Sequence, residues 1–282
     1  MRSYHFRETG KENTLQTTPN MSTNYQHWIL KIDNHLATLT FNRPEKKNRI
    51  DLTTLEELGK ITEEIRNNPD VWVVMLKASG NCFSAGVDIS LIGSMVGQEL
   101  ETYRKNLAYT QSFFDLFEAL EKPTIAALNG PVIGGGMIMA LCCDFRIAAE
   151  DVMFELPEVK RSIGVIMGTQ RITRVIGVAH TKEMVMLGKK VGAEKALQIG
   201  LVNQVVPLEE LEAQSMAFAR QFLNLPPLAV GVCKKIINEG EYLERAGQDM
   251  EIEAQAEILQ THDFKEAIAS FFDKRKPEFK GR

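Results

Sequence analysis

The feature that most limits the fold is Val71–Lys77, VWVVMLK, in which six apolar residues follow one another without alternation. A strand with one solvated face alternates apolar and polar residues, so a continuous β-branched run fits a strand covered on both faces. TIAAL, Thr124–Leu128, is a second run of this kind. Ahead of the first, HWILKID and HLATLTF are split by Asn34 and read as a hairpin. From the cap residue Asp51 onward, Leu55, Leu58, Ile61 and Ile65 recur at helical spacing. The order is strand, strand, helix, strand. It starts again with TIAAL, the short helix GGGMIMALCCD and the strand FRIAAE. Two ββα-like units in series predict an α/β fold built as a spiral of such units.

Further along, MGTQRITRVIG, AHTKEMVMLG and GAEKALQIG are predicted helices, closed by Gly177, Gly188 and Gly200 in the left-handed conformation that glycine tolerates. After the strand VNQVVP the chain is predicted helical to Lys274, with a break at NLPPLA. At 282 residues the sequence is long for one core and short for two domains, so one large domain with an appended element is expected. The division expected is a core over 21–205 and a helical region over 206–282. Residues 1–20 are polar and unpatterned and read as a disordered extension ahead of Met21, for which an upstream start codon is one origin.

The net charge of -4, with both signs interspersed, gives no electrostatic case for nucleic acid or an anionic membrane as partner. Cys82, Cys142, Cys143 and Cys233 form no C-x-x-C pair, so neither a disulfide framework nor a metal site is indicated, and a reducing compartment fits. No apolar run approaches the roughly 18 residues of a membrane span, and no secretory signal opens the chain; a cytoplasmic protein is expected.

Two turns carry chemical interest, Ser84–Ile89 (SAGVDI) and Gly130–Gly136 (GPVIGGG). Each follows a buried strand, places small residues on a tight turn and leads into a helix. Three consecutive glycines at a helix mouth cost roughly 0.5–1 kcal/mol each against alanine. That cost is intelligible where a ligand must approach the main chain, because a helix N-terminus offers N–H groups with a positive dipole end. The N–H groups of Val87 and Gly135 are predicted to pinch one oxygen. Ser84, Ala85, Gly86, Asp88, Ile89, Gly134 and Ile138 around them are candidate binding residues. Either turn alone is also an ordinary strand-to-helix connection. Neither contains G-x-G-x-x-G or a G-K-[ST] ending, and Ser84 is not in a G-x-S-x-G elbow. In FELPEVKRSIG, Glu158 follows Pro157 and sits among Leu156 and Val159. Desolvation there is expected to raise its pKa and suit it to general acid–base work, with Glu155 a local rival. Met137, Met139, Met153 and Met167 cluster around these motifs, as pocket lining or as core filler.

In order and approximate spacing, TFNRPEKKN, FSAGVDIS, LNGPVIGGG, CDFRIA, LPEV, GTQRITRVIG, IGLVNQVVP and FFDKRKPEF resemble the crotonase superfamily, the enoyl-CoA hydratase/isomerase family. The resemblance runs from about His27 to the C-terminus. It implies a crotonase-like spiral of ββα units with a C-terminal helical trimerisation region, assembled as a homotrimer or dimer of trimers. It also implies an acyl-CoA substrate, with coenzyme A entering as part of it and no separate cofactor. The family's oxyanion hole falls on Val87 and Gly135, its retained glutamate on Glu158 beside Pro157, and its CoA-contacting basic residue on Lys274. Three departures matter. Ile138 stands where two-glutamate hydratases carry the first glutamate, in G-G-G-x-E; the loop SIGVIMG is one residue shorter; and Asn81 stands where some relatives have a lysine that holds CoA. One base suffices to move a proton from C2 to C4, so a single-glutamate isomerase is favoured. Hydration with Glu155 as substitute acid, thioester hydrolysis, and a non-catalytic scaffold or RNA-binding role are the alternatives.

Overall fold

In the computed structural model, residues 21–94, 98–161, 163–240 and 261–282 are described. The expectation for residues 1–20 and the helical reading of 241–260 lie outside them.

Asn34 and His35 take φ of 47° and 65°, the left-handed pair that a tight hairpin turn requires. They join β2 (Trp28–Asp33) to β3 (Leu36–Phe41), paired antiparallel from Trp28 opposite Phe41 to Asp33 opposite Leu36. Trp28 stacks on Phe41 at 4.4 Å, and alternate residues Leu30 and Ile32 face the core. A strand absent from the sequence expectations, β1 (Met21–Asn24), extends this meander against β2.

Helix α1 (Leu52–Asn67) begins where Asp51 promised: its carboxylate accepts from Thr54 N–H while the Thr54 hydroxyl accepts from Asp51 N–H. Its inner face buries Leu55, Leu58, Ile61 and Ile65. The VWVVMLK run becomes β4 (Val73–Ala78), whose Val73, Val74, Met75 and Leu76 are at most 1% exposed. Strands β5 (Thr124–Leu128), β7 (Phe145–Ala149) and β10 (Gln204–Val206) continue in parallel from it, giving a seven-stranded sheet ordered β1-β2-β3-β4-β5-β7-β10. A second sheet of three short strands, β6 (Val132–Ile133), β8 (Met153–Glu155) and β9 (Val191–Gly192), stands beside it. Strands of two or three residues are too short to show a periodicity, which is why the sequence does not announce them.

Helix α2 (Ile89–Gly93) follows the first glycine turn and α4 (Gly135–Leu141) the second. Between them runs α3 (Leu100–Glu118), also without counterpart in the sequence expectations; only Thr110, Phe114 and Phe117 of its 19 residues are buried, so its apolar period is thin. The two helices expected before and after Gly177 follow one another in α5 (Thr169–Leu187) and part where expected, since Gly177 at φ 73°, ψ 167° lies outside the helical region. Gly188 and Gly200 take φ of 57° and 76°, as their helix-closing role demands.

After α6 (Ala193–Gln198), the C-terminal helices are α7 (Leu211–Phe222), α8 (Pro227–Glu239) and α9 (His262–Asp273). Phe218 and Phe222 pack α7 on Phe145 of the sheet, at 5.1 and 5.4 Å. The interruption after α7 falls at the expected prolines. On α8, Lys234 reaches the Asp144 carboxylate at 2.8 Å and donates to Lys122 O. The chain end folds back on α9: the carboxylate of Asp263, 1% exposed, accepts from the N–H groups of Lys280 and Gly281. Among the described residues, no helix is long and apolar enough to cross a membrane.

Candidate active site

The two glycine turns lie against one another. Ile133 N–H donates to Ser84 O, Ser84 N–H to Pro131 O, and Ala85 N–H to Lys47 O. Gly86 O accepts from Ile50 N–H, and Asp88 N–H donates to Ile50 O. These bonds fix the residues on either side of Val87 and turn its own N–H away from them; it meets no acceptor among the described residues. Gly135 is the first residue of α4, where an N–H has no intrahelical partner, and it too meets none. A Cβ placed on Gly135 would stand 3.2 Å from Val87 N and 2.7 Å from Val87 Cγ2. The Gly135 backbone and the Val87 amide therefore lie next to one another across the two turns.

Each of the three glycines has its own reason to be there. Gly134 takes φ 53°, and a Cβ on it would meet Glu158 Oε1 at 2.7 Å. A Cβ on Gly135 would crowd Val87, and a Cβ on Gly136 would meet Ser84 Cβ at 2.6 Å, where the turns are back to back. Glu158 opens a short 3-10 turn, Glu158–Arg161, and its carboxylate lies against Gly134 at the mouth of α4.

These groups border a cavity of about 660 Å³, within the usual range for small-molecule sites. Val87, Gly135 and Glu158 line it, as do Ala85, Gly86 and Ile89 from the first turn and Gly134, Ile138 and Pro157 from the second side. Ser84, Asp88 and Lys274 do not. Ser84 is fully buried behind the wall, its hydroxyl donating to Asn48 O at 2.6 Å and accepting from Gly86 N–H. Asp88 caps the start of α2: its carboxylate accepts from Ser90 N–H and the Ser90 hydroxyl, which hold its pKa below the ordinary carboxylate range. Lys274 is exposed at the end of α9.

Glu155, the rival carboxylate, also lines the cavity. It is 12% exposed and ion-paired, 2.7 Å from Lys160 Nζ and 3.9 Å from Lys190 Nζ, while its carbonyl accepts from Gly134 N–H. Ile138, 5% exposed, stands one helical turn beyond Gly135 and offers hydrocarbon to the cavity. The buried thiols of Cys142 and Cys143 are pushed up in pKa by desolvation and line no part of it.

Several wall residues have no signal in the sequence. Tyr103, Leu107, Thr110 and Phe114 come from α3, and Ile163 and Ile166 from the loop before α5; Met167 of that loop, one of the clustered methionines, lines the cavity as well. A half-exposed helix and an irregular loop show no pattern that separates pocket from surface. Chemically, two N–H groups without an acceptor and the Glu158 carboxylate in a largely apolar cavity suit stabilisation of an oxyanion beside a proton-transfer group.

The sequence profile of the family described as enoyl-CoA hydratase/isomerase matches residues 31–282. The chain is 38% identical over 263 residues to a crotonyl-CoA hydratase of Syntrophomonas wolfei, spanning 90% of this chain and 98% of that one. It is 37% identical over 262 residues to a short-chain-enoyl-CoA hydratase of Clostridium acetobutylicum, with 90% and 98% covered. The crystal structure of an enoyl-CoA hydratase from Bacillus anthracis matches with a TM-score of 0.84 at 33% identity, covering 91% of this chain and 100% of that one.

Proposed function

The chain belongs to the enoyl-CoA hydratase/isomerase family, and from that premise we propose that it shifts the double bond of an enoyl-CoA thioester between C3 and C2, with Glu158 as its single base. The thioester oxygen takes the gap between the N–H groups of Val87 and Gly135. The Glu158 carboxylate removes a proton from C2; the electron pair spreads onto the oxygen, where the two N–H groups stabilise the charge. The same carboxyl then returns the proton to C4. No water is consumed and no oxidation state changes, so the reaction as written calls for no metal or redox cofactor.

The observation that carries this reading is Ile138. Hydration needs a polar anchor for water as well as a group that handles the α-proton, and the wall one turn beyond Gly135 is hydrocarbon. Glu155, the other carboxylate at the cavity, is occupied by Lys160 and Lys190. Hydration is the second reading, favoured by the names of the relatives above and by Glu155 lining the cavity. Comparing Glu158→Gln with Glu155→Gln separates them. Loss of at least ~10² in turnover is expected for the first variant and little change in isomerisation for the second. A Glu155→Gln protein that loses turnover while Glu158→Gln keeps it would overturn the assignment.

Assembly of three or six chains belongs to the same proposal. Val178, Met186 and Leu187 on the second half of α5 are 58%, 65% and 68% exposed, large apolar side chains that contact with other chains would cover. Light scattering at micromolar concentration should report three or six chains; a monomeric mass would refute it. A cytoplasmic location completes the proposal, supported by free cysteines, three of them buried, that suit a reducing compartment.

A further inference from the structure

Among the described residues of the cavity wall, Met167 is the one non-glycine residue with positive φ, at 66°. A long side chain is strained in the left-handed region, and such strain persists only where the surroundings over-determine it. Here the constraint is Arg171, whose side chain is 7% exposed. One guanidinium nitrogen donates to Met167 O at 2.5 Å. The remaining nitrogens are held by α3: Nε donates to Glu118 at 2.8 Å and the third nitrogen to Asp115 at 2.5 Å. Asp115 and Glu118 belong to the stretch of α3 that places Phe114 in the cavity wall. One guanidinium thus ties the Met167 carbonyl to α3, and Arg174, one turn along α5, adds a second bond to Glu118 at 3.1 Å.

Met167 is also tied to the chemical centre. A Cβ on Gly168 would stand 2.9 Å from Ile138 Cγ1 and 3.2 Å from Val165 Cγ1, so the loop is seated on Ile138. Ile138 in turn lies about 4.5 Å along α4 from Gly135, three residues at 1.5 Å each. Contacts therefore lead from Gly135 through Ile138 and, behind the wall, Gly168 to Met167.

We propose that Met167 closes the acyl end of the cavity and sets the chain length it accepts, and that Arg171 is the positioning residue that pins Met167 and α3 at a fixed separation. The inference rests on the acyl-CoA reading of the site. A methionine side chain on a mobile loop would yield to a longer chain, because the thioether is among the most adaptable core groups. A methionine whose carbonyl is bonded to a buried arginine yields less.

The test is the ratio of kcat/KM for octenoyl- and decenoyl-CoA to that for butenoyl-CoA. Met167→Gly removes the side chain and relaxes the backbone, since glycine adopts this φ freely; the lost packing of the partly buried thioether opposes that relief, so the melting temperature should stay within a few degrees of native. The long-to-short ratio should rise by about tenfold or more, the scale of discrimination that a hydrophobic pocket achieves per methylene. Met167→Asn, which also tolerates the left-handed region, should shift the ratio in the same direction. Arg171→Lys should raise the ratio through KM for the long chains while leaving kcat for butenoyl-CoA near native, and should add little in a Met167→Gly background. An unchanged ratio in both Met167 variants, with butenoyl-CoA turnover intact, overturns the proposal. Failure of the native protein to turn over any of these thioesters would instead remove the acyl-CoA reading, and this inference with it.

Discussion

Replacing Gly135 with alanine adds one methyl group at the place where the account needs empty space. That methyl would stand 2.7 Å from Val87 Cγ2, 3.2 Å from Val87 N and 3.5 Å from Ile50 Cδ1. Val87 is β-branched with a stiff χ1 and Ile50 is fully buried, so neither withdraws cheaply. Overpacking of this kind costs about 1–3 kcal/mol. Alanine recovers roughly 0.5–1 kcal/mol relative to glycine in a helix. The net loss of about 1–2 kcal/mol should lower Tm by only a few degrees. Activity should suffer far more, because the methyl stands against the Val87 amide, where the proposed reaction places the thioester oxygen. Loss of one oxyanion donor costs ~10²–10³ in kcat, and the two donors act as a unit, so that range is the minimum expected. The assay pairs a thermal melt with kcat on enoyl-CoA, read from the absorbance of the conjugated thioester. Turnover within a few-fold of native would refute the reasoning. So would a collapse in Tm that accounts for all of the lost activity, since the glycine would then serve packing alone.

Ile138→Glu should raise hydration relative to isomerisation, as read from products separated by chromatography, and should lower stability by about 1–3 kcal/mol for a carboxylate in a nearly buried site. At the chain end, Glu266 accepts from the Arg275 guanidinium at 2.5 and 2.9 Å and from Glu278 N–H, which together pull its pKa from 4.5 to about 2. A depressed carboxylate stabilises fully above 4.5 and loses that contribution as pH falls toward 2. Acid proteolysis should therefore clip the segment after α9 increasingly across that window, and Glu266→Gln should weaken the pH dependence, with the Asp263 carboxylate still accepting from Lys280 and Gly281 N–H.

The parts of the fold visible in the sequence are those whose burial imposes a pattern. VWVVMLK announces a strand covered on both faces, and Asp51 with the leucines of α1 announces a capped amphipathic helix. Helix α3 escapes because most of its surface is exposed, and the small sheet because two or three residues hold no period. At the site, consecutive glycines reveal the turn because only close approach justifies their entropy, and LPEV marks a carboxylate among apolar neighbours. Which side of a turn a small residue faces is not written locally: Ser84 is bonded away from the cavity by Asn48, some 36 residues earlier. The strained backbone of Met167 is equally hidden, since it depends on an arginine four residues on and on two acids of α3.

The central claim is that Glu158 works alone beside a hydrocarbon wall. The most direct measurement is the product course from one 3-enoyl-CoA incubated with the native protein, with 2-enoyl-CoA and 3-hydroxyacyl-CoA resolved by chromatography and the reverse run begun from 2-enoyl-CoA. Accumulation of 2-enoyl-CoA ahead of any hydroxyacyl product, and return of some 3-enoyl-CoA in the reverse run, is the predicted result. Rapid conversion of 2-enoyl-CoA to 3-hydroxyacyl-CoA with no isomerised product would contradict it, and would require a second group in the cavity, with Glu155 the first to test, to hold the water.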